Sequence, residues 1–223
     1  LGMNTPGGFG EYIRVPAGWV TALPKGLSTR ESMVIGTAGF TAALCLDKIE
    51  TMGAKPADGP VLVTGATGGV GSIAVMLLAK QGYEVIASSG KADKTDYLKS
   101  LGATTVITRD ELSEVDKRPM VAPQWAHSID CVGGEILSNV IKGLQPLGSV
   151  AICGLVASPA FTTTVLPFIL RGVNILGIDS VEIPIEYKNR IWDKLANQWK
   201  LSDLDAATQE VGLSDLAPVI EAI

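Results

Sequence analysis

One segment constrains the fold of this chain more than any other: residues 61–82, VLVTGATGGVGSIAVMLLAKQG. Four apolar or β-branched residues run into a glycine-rich turn, and the turn runs straight into a helical pattern. A short apolar strand that feeds a helix through glycines is the opening unit of a nucleotide-binding sheet, and this context separates it from a bare motif match. Aligned on G-x-G-x-x-G, the three positions fall on Ala66, Gly68 and Gly71, with Gly65 and Gly69 adding room. Gly68 and Gly69 let backbone approach a pyrophosphate, and Gly71 lets the helix pack close to the strand. The helix start then supplies free N–H groups and the positive end of a dipole. A tight strand-to-helix turn with no ligand is the competing reading.

The same string, through Thr64, Gly65, Gly69 and Gly71, fits the T-G-x-x-x-G-x-G pattern of short-chain dehydrogenases. Those enzymes need a tyrosine followed four residues later by lysine. Here Tyr12, Tyr83, Tyr97 and Tyr187 are followed at that spacing by Pro16, Ala87, Leu101 and Ile191, so the pattern fails its check.

After Gly59 the chain alternates. Strand-like segments lie at 61–64, 84–88, 104–107, 128–132, 149–153 and 173–178, with helical segments at 70–81, 94–101, 135–144 and about 164–171 between them. Continuously apolar strands separated by helices predict a Rossmann-type doubly wound parallel sheet, α/β in class, covered on both faces. Two further helices are expected at 187–200 and 215–223. Before the alternation, Ser28 and Glu31 form an N-terminal capping signature for a buried helix reaching Glu50, interrupted near 36–39. Residues 1–27, rich in Gly and Pro with short alternating stretches, read as the end of a β-rich unit, and residues 28–223 as the nucleotide-binding domain with C-terminal helices.

Composition narrows the partners. Eighteen basic against 23 acidic side chains give a net charge of −5, the wrong sign for a phosphate-backbone binder, so no nucleic acid is expected. No uninterrupted apolar run approaches the roughly 18 residues of a membrane span, so no membrane partner is expected. Cys45, Cys131 and Cys153 lie far apart in sequence with no C-x-x-C pair, which leaves nothing for a zinc site or a disulfide framework. The single histidine, His127, is read as a surface or strand-end residue. The N-terminal residues lack a basic segment followed by an apolar core, so a signal peptide is not expected and the cytoplasm fits best.

The end of the second strand carries the clearest statement about cofactor. An NAD-selective domain places Asp or Glu there, against the ribose 2′-hydroxyl. Here the segment is Ala87-Ser-Ser-Gly-Lys91, with two hydroxyls, a glycine and a cation but no carboxylate, and Arg109 follows just past the third strand. That set suits the 2′-phosphate of NADP. The bland alternative for Lys91 and Arg109 is a solvated surface charge.

Seven segments follow in order: GTAGFTAAL at 36–44, VTGATGGVGS at 63–72, SSGK at 88–91, DYLKSLGA at 96–103, ITRDE at 107–111, IDCVGG at 129–134 and PFILRGVNILGIDSV at 167–181. Together they resemble the zinc-independent, quinone oxidoreductase-like branch of the medium-chain dehydrogenase/reductase superfamily, specifically its acrylyl-CoA reductase group. The resemblance implies NADPH-dependent reduction of a carbon–carbon double bond conjugated to a carbonyl, with acryloyl-CoA to propionyl-CoA as the type reaction. It implies cofactor contacts at Thr67, Gly68, Gly69 and Val70 in the turn, at Ser89, Gly90, Lys91 and Arg109 around the 2′-phosphate, and at Leu155, Ile169 and Ser180 near the nicotinamide. Leu155 and Ile169 are singled out by the resemblance alone.

The resemblance also implies a GroES-like β-domain of which residues 1–27 hold only the final segment, and a last strand beyond Ile223, so the chain by itself is expected to fold but not to turn over. Thr37 stands about where zinc-dependent relatives hold a cysteine, and Thr is a poor zinc ligand, so no metal is expected. No residue stands out as the catalytic acid. The partner is expected to be a small enoyl-CoA, enone or quinone, and the strand at 173–178 is expected to pair with its twofold mate in a homodimer. Two other readings stay open: a quinone or enone reductase with no CoA preference, and a non-catalytic NADP-binding module.

Overall fold

In the computed structural model, residues 2, 5–8, 10–114 and 117–221 are described. Six strands form one sheet: β1 Val61–Thr64, β2 Val85–Ser89, β3 Thr105–Thr108, β4 Trp125–Asp130, β5 Leu144–Ile152 and β6 Asn174–Gly177. Their order is β3-β2-β1-β4-β5-β6 and every pairing is parallel. The first three strands therefore step outward in one direction and the next three in the other. The crevice beyond the carboxyl ends of β1 and β4, where the order reverses, is the place such a sheet binds ligands.

Helices cover both faces: α1 Thr29–Thr51, α2 Gly69–Lys80, α3 Thr95–Ser100, α4 Arg109–Ser113, α5 Gly134–Gly143, α6 Leu166–Arg171, α7 Ile185–Ala196 and α8 Leu216–Glu221. Alternate residues of β1 face opposite layers, Val61 and Val63 packing with α1, α2 and α7 and Leu62 packing with α5. Such two-sided burial is why the strands read as continuous apolar runs.

The predicted start of α1 is present in full. Ser28 Oγ accepts the Glu31 N–H at 3.1 Å and Glu31 Oε2 accepts the Ser28 N–H at 2.7 Å. The Ser28 N–H, and then the Ser28 hydroxyl donating to the same carboxylate oxygen at 2.8 Å, pull the Glu31 carboxyl down to about 2. The predicted interruption falls on Gly36, at φ 50° and ψ −157°, a conformation that favours glycine. By length and composition α1 could cross a membrane, a point that counting uninterrupted apolar runs does not bring out. In the fold its second half is core, with residues Gly39 through Asp47 buried and the helix packed on α2 and α7.

Several boundaries differ from the sequence pattern. β4 begins at Trp125 rather than 128 and stops at Asp130, because the Asp130 carboxylate accepts the N–H groups of Val132 (3.3 Å) and Gly133 (2.8 Å) and turns the chain. β5 begins at Leu144, where the helix was expected to end, and runs through Leu147 with its positive φ of 64° before regular pairing resumes at Ser149. α7 ends at Ala196 rather than 200, and the chain turns so that Trp199 is buried. Among the described residues of 2–27 there is one short 3-10 turn, Ala17–Trp19, and no strand.

His127 corrects its expectation. It lies within β4 at 5% exposure, not at the surface, with Nδ1 accepting the Ser149 N–H at 3.2 Å. That bond leaves the proton of the neutral ring on Nε2, 3.4 Å from Asp58 Oδ2. Burial lowers its pKa, against the opposing pull of Asp58. The motif PFILRG also acquires a structural role, since the Arg171 guanidinium donates to the carbonyls of Lys142, Leu144 and Val121 and so fixes α6 to the start of β5.

Candidate nucleotide-binding cleft

The glycine turn hangs from the end of β1 and is tied to the neighbouring strand by Ala66 N–H, which donates to Ser88 O at 3.0 Å. Gly68 is the N-cap of α2 and no side chain caps this helix, so its first N–H groups are left for a ligand. A Cβ at Gly71 would stand 2.3 Å from Gly65 O and 2.7 Å from Ala66 Cα, both backbone atoms. Only glycine allows the helix to start this close to the turn.

A cleft of about 840 Å³ opens over the turn at the carboxyl ends of β1, β2, β4 and β5. Its wall brings together Thr67, Gly68, Gly69 and Val70 from the turn with Ser89, Gly90, Lys91 and Arg109 from the ends of β2 and β3. Eight of the residues singled out in the sequence thus line one cavity. The two halves touch, with Thr67 Oγ1 3.2 Å from Ser89 Oγ, which also accepts the Lys91 N–H at 3.0 Å. The Arg109 guanidinium lies over Gly90: a Cβ there would stand 3.1 Å from Cζ and 3.3 Å from Nε. Gly90 therefore makes room for the cation, and Thr108 with Glu111 caps α4 and holds the backbone of Arg109 in place. Two hydroxyls and two cations converge with no carboxylate in the lining, an environment that accepts a dianionic phosphate.

The other three residues are placed differently. Leu155 stands between Gly154 and Val156, which line the cleft, and is itself 64% exposed. Ile169, on α6, is 69% exposed, and Ser180 lies in the turn that Asp179 closes with the Val181 and Glu182 N–H groups. Neither Ile169 nor Ser180 is part of the cleft wall.

Beneath the cleft lies a residue that the sequence pattern does not single out. Asp130 is fully buried, accepts Thr64 Oγ1 at 2.6 Å together with the two N–H groups of the following turn, and so braces β1 against β4 under the cleft. Burial raises its pKa against those hydrogen bonds. The segment IDCVGG carried the signal, a carboxylate at a strand end followed by two glycines. Cys131 and Cys153, distant in sequence, both line the cleft. Among the described residues no group of three His, Cys, Asp or Glu side chains is arranged to hold a metal ion.

The sequence model of the zinc-binding dehydrogenase family matches residues 69–197. Acrylyl-CoA reductase AcuI of Ruegeria pomeroyi is 47% identical over 210 residues, covering 94% of this chain and 64% of that protein. "Putative quinone oxidoreductase YhfP" of Bacillus subtilis is 44% identical over 100% of this chain and 68% of its own length, and its crystal structure with NAD bound matches with a TM-score of 0.90. The yhdH oxidoreductase of Salmonella enterica, crystallised with NADP, matches with a TM-score of 0.93 at 46% identity, over 97% of this chain and 66% of that one. The chain thus spans about two thirds of the length of the relatives it matches. A family model that covers more than half of the chain and a 44% identical relative aligned along all of it establish that the chain belongs to the zinc-binding dehydrogenase family, within the medium-chain dehydrogenase/reductase superfamily.

Proposed function

We propose that the protein is an NADPH-dependent reductase of α,β-unsaturated carbonyl compounds, with acryloyl-CoA as its substrate and propionyl-CoA as the product, working without zinc. The observation that carries this reading is the 47% identity to an acrylyl-CoA reductase across 94% of the chain. The cleft supports the cofactor half, since Ser89, Lys91 and Arg109 line it together and no acidic side chain does. When bound, NADPH supplies a hydride for the β-carbon of the substrate. The chain's own part is to seat the pyrophosphate on Gly68, Gly69 and the first turn of α2 and to pair the 2′-phosphate with Lys91 and Arg109; Leu155, beside the cleft wall, and Ile169 and Ser180, outside it, are assigned to the nicotinamide end by the family resemblance alone. The reading without zinc is supported by Thr37, which stands about where zinc-dependent relatives hold a cysteine, since Thr is a poor zinc ligand.

A second reading, reduction of quinones or enones without CoA preference, is favoured by the likeness to YhfP. Tyr12 and Trp19 are exposed, which fits the reading of this N-terminal segment as the end of a separate β-rich unit in either case. The three free cysteines fit a reducing cytoplasm, and the net charge of −5 argues against nucleic acid as a partner. The test is oxidation of NADPH by the full-length protein with acryloyl-CoA, crotonyl-CoA, simple enones and quinones. Preference for acryloyl-CoA is expected; turnover of quinones alone selects the second reading, and NADPH binding by the full-length protein without turnover of any substrate overturns both in favour of a binding module.

β6 is the last strand of the sheet, and Ile175 on it is 36% exposed. An unpaired apolar edge is an aggregation hazard unless covered. Pairing of β6 with its twofold mate would extend the sheet across a homodimer. Sedimentation velocity at micromolar concentration should give a dimer that Ile175→Lys converts to monomer; a wild-type monomer overturns the assignment.

A further inference from the structure

The geometry points to Cys131 and Cys153 as an oxidisable dithiol in the wall of the nucleotide cleft, converted by hydrogen peroxide into an intramolecular disulfide. The parallel register of β4 and β5 pairs Asp130 with Ile152, which makes Cys131 and Cys153 the next two residues side by side. The ladder continues to them, because Cys153 N–H donates to Asp130 O at 3.0 Å. Their sulfurs lie 3.7 Å apart, and both residues are only partly buried. Neighbouring positions on paired strands fall within the separation that a disulfide tolerates, so closure asks for side-chain rotation rather than backbone movement. Both thiols border the open cleft, and Cys131 also lies against the glycine turn, where a Cβ at Gly65 would stand 3.3 Å from its own Cβ.

The third cysteine differs. Cys45, on α1, is fully buried and does not line the cleft. Hydrogen bonds from Cys131 and then Cys45 draw the Cys153 thiol down toward the thiolate, while the same Cys131–Cys153 bond, and then burial, raise Cys131. Cys153 is thus assigned as the sulfur that reacts first, an assignment on which the crosslink itself does not depend. Its thiolate takes one oxygen from the peroxide, breaking the O–O bond and releasing hydroxide, and becomes a sulfenic acid. The Cys131 thiol then attacks that sulfur, the S–O bond breaks, and water leaves with the Cys131 proton. In total two thiols lose two electrons and two protons to one peroxide, which ends as two waters.

A dinucleotide in the cleft covers both sulfurs, and this coupling rests on the cofactor reading above. If only the free cleft reacts, NADP⁺ at about ten times its Kd slows closure about tenfold. The experiment treats the purified protein with hydrogen peroxide and maps the peptides by mass spectrometry before and after reduction. The expected product joins the Cys131 and Cys153 peptides, weighs two hydrogens less than their sum, disappears with dithiothreitol and forms tenfold more slowly in NADP⁺. Cys131→Ser and Cys153→Ser should abolish it and Cys45→Ser should not; differential alkylation of the wild-type thiols gives the same answer without variants. A Cys45–Cys153 link, a link between chains, or persistent free thiols at both positions overturns the proposal. Calorimetry of NADP⁺ on the same sample separates the two readings. Absent binding with an intact crosslink overturns the cofactor reading alone, whereas binding without protection overturns the placement of the dithiol in the occupied cleft.

Discussion

Replacing Lys91 or Arg109 by alanine should weaken NADPH binding by about one to two orders of magnitude and leave NADH binding nearly unchanged. Both cations line the cleft with Ser89, and the Arg109 guanidinium lies over Gly90 where a 2′-phosphate would enter. A charge-assisted hydrogen bond contributes about 1.5–3 kcal/mol, or roughly tenfold to 150-fold in affinity. Because both residues are exposed, solvent screening favours the lower part of that range, and the comparison needs fixed, low salt. Calorimetric titration of both cofactors on each variant reads the effect. Equal losses for NADH and NADPH would show that the two side chains support the fold rather than the phosphate. Tighter wild-type binding of NADH would overturn the assignment to NADP, and the NAD-bound structure of the Bacillus relative makes that arm indispensable.

Asp47→Ala should cost about 3 kcal/mol of stability. The Asp47 carboxylate is 3% exposed and joins α1 to α7 by accepting hydrogen bonds from Tyr187 Oη (2.8 Å), Arg190 Nη2 (3.1 Å) and Lys194 Nζ (2.7 Å). Breaking a buried ion pair from one side typically costs about 3–5 kcal/mol, and the low end applies because the Arg190 side chain is 60% exposed and regains water. Burial would raise the Asp47 pKa, but the hydrogen bonds from Lys194 and Tyr187 and the charges of Lys194 and Arg190 outweigh it and hold the pKa below the usual value. A carboxyl depressed in the folded state contributes stability above its unfolded pKa of about 3.9 and loses it as pH falls through the lower folded value. Urea unfolding should therefore show a gap between wild type and Asp47→Asn that is constant above roughly pH 5 and closes under more acid conditions. A gap that persists unchanged at acid pH, or an Ala variant as stable as wild type, would refute this account.

Much of the fold and half of the site were legible because their causes are local. The capping pair Ser28 and Glu31, the break at Gly36 and the strand–turn–helix at 61–82 each depend on residues within a few positions of one another. Strands buried on both faces leave unbroken apolar runs, so all six could be located to within a few residues. Where a boundary slipped, a distant or side-chain contact had decided it, as at Asp130, whose carboxylate turns the chain two residues before the apolar pattern ends.

By itself the sequence determined the class of fold, the glycine turn and the chemical character of the cleft wall at Ser89, Lys91 and Arg109, since these follow from residue type at fixed spacing. Only the tertiary structure decided which separated residues meet. It brought Arg109 over Gly90, Asp47 to three partners about 140 residues away, and Cys131 beside Cys153 across two parallel strands. The same cause placed His127, whose burial follows from the position of β4 between β1 and β5. Parallel strands are joined by crossovers, so neighbours in the sheet are remote in the chain, and their pairings depend on strand order and register, quantities that local spacing does not contain.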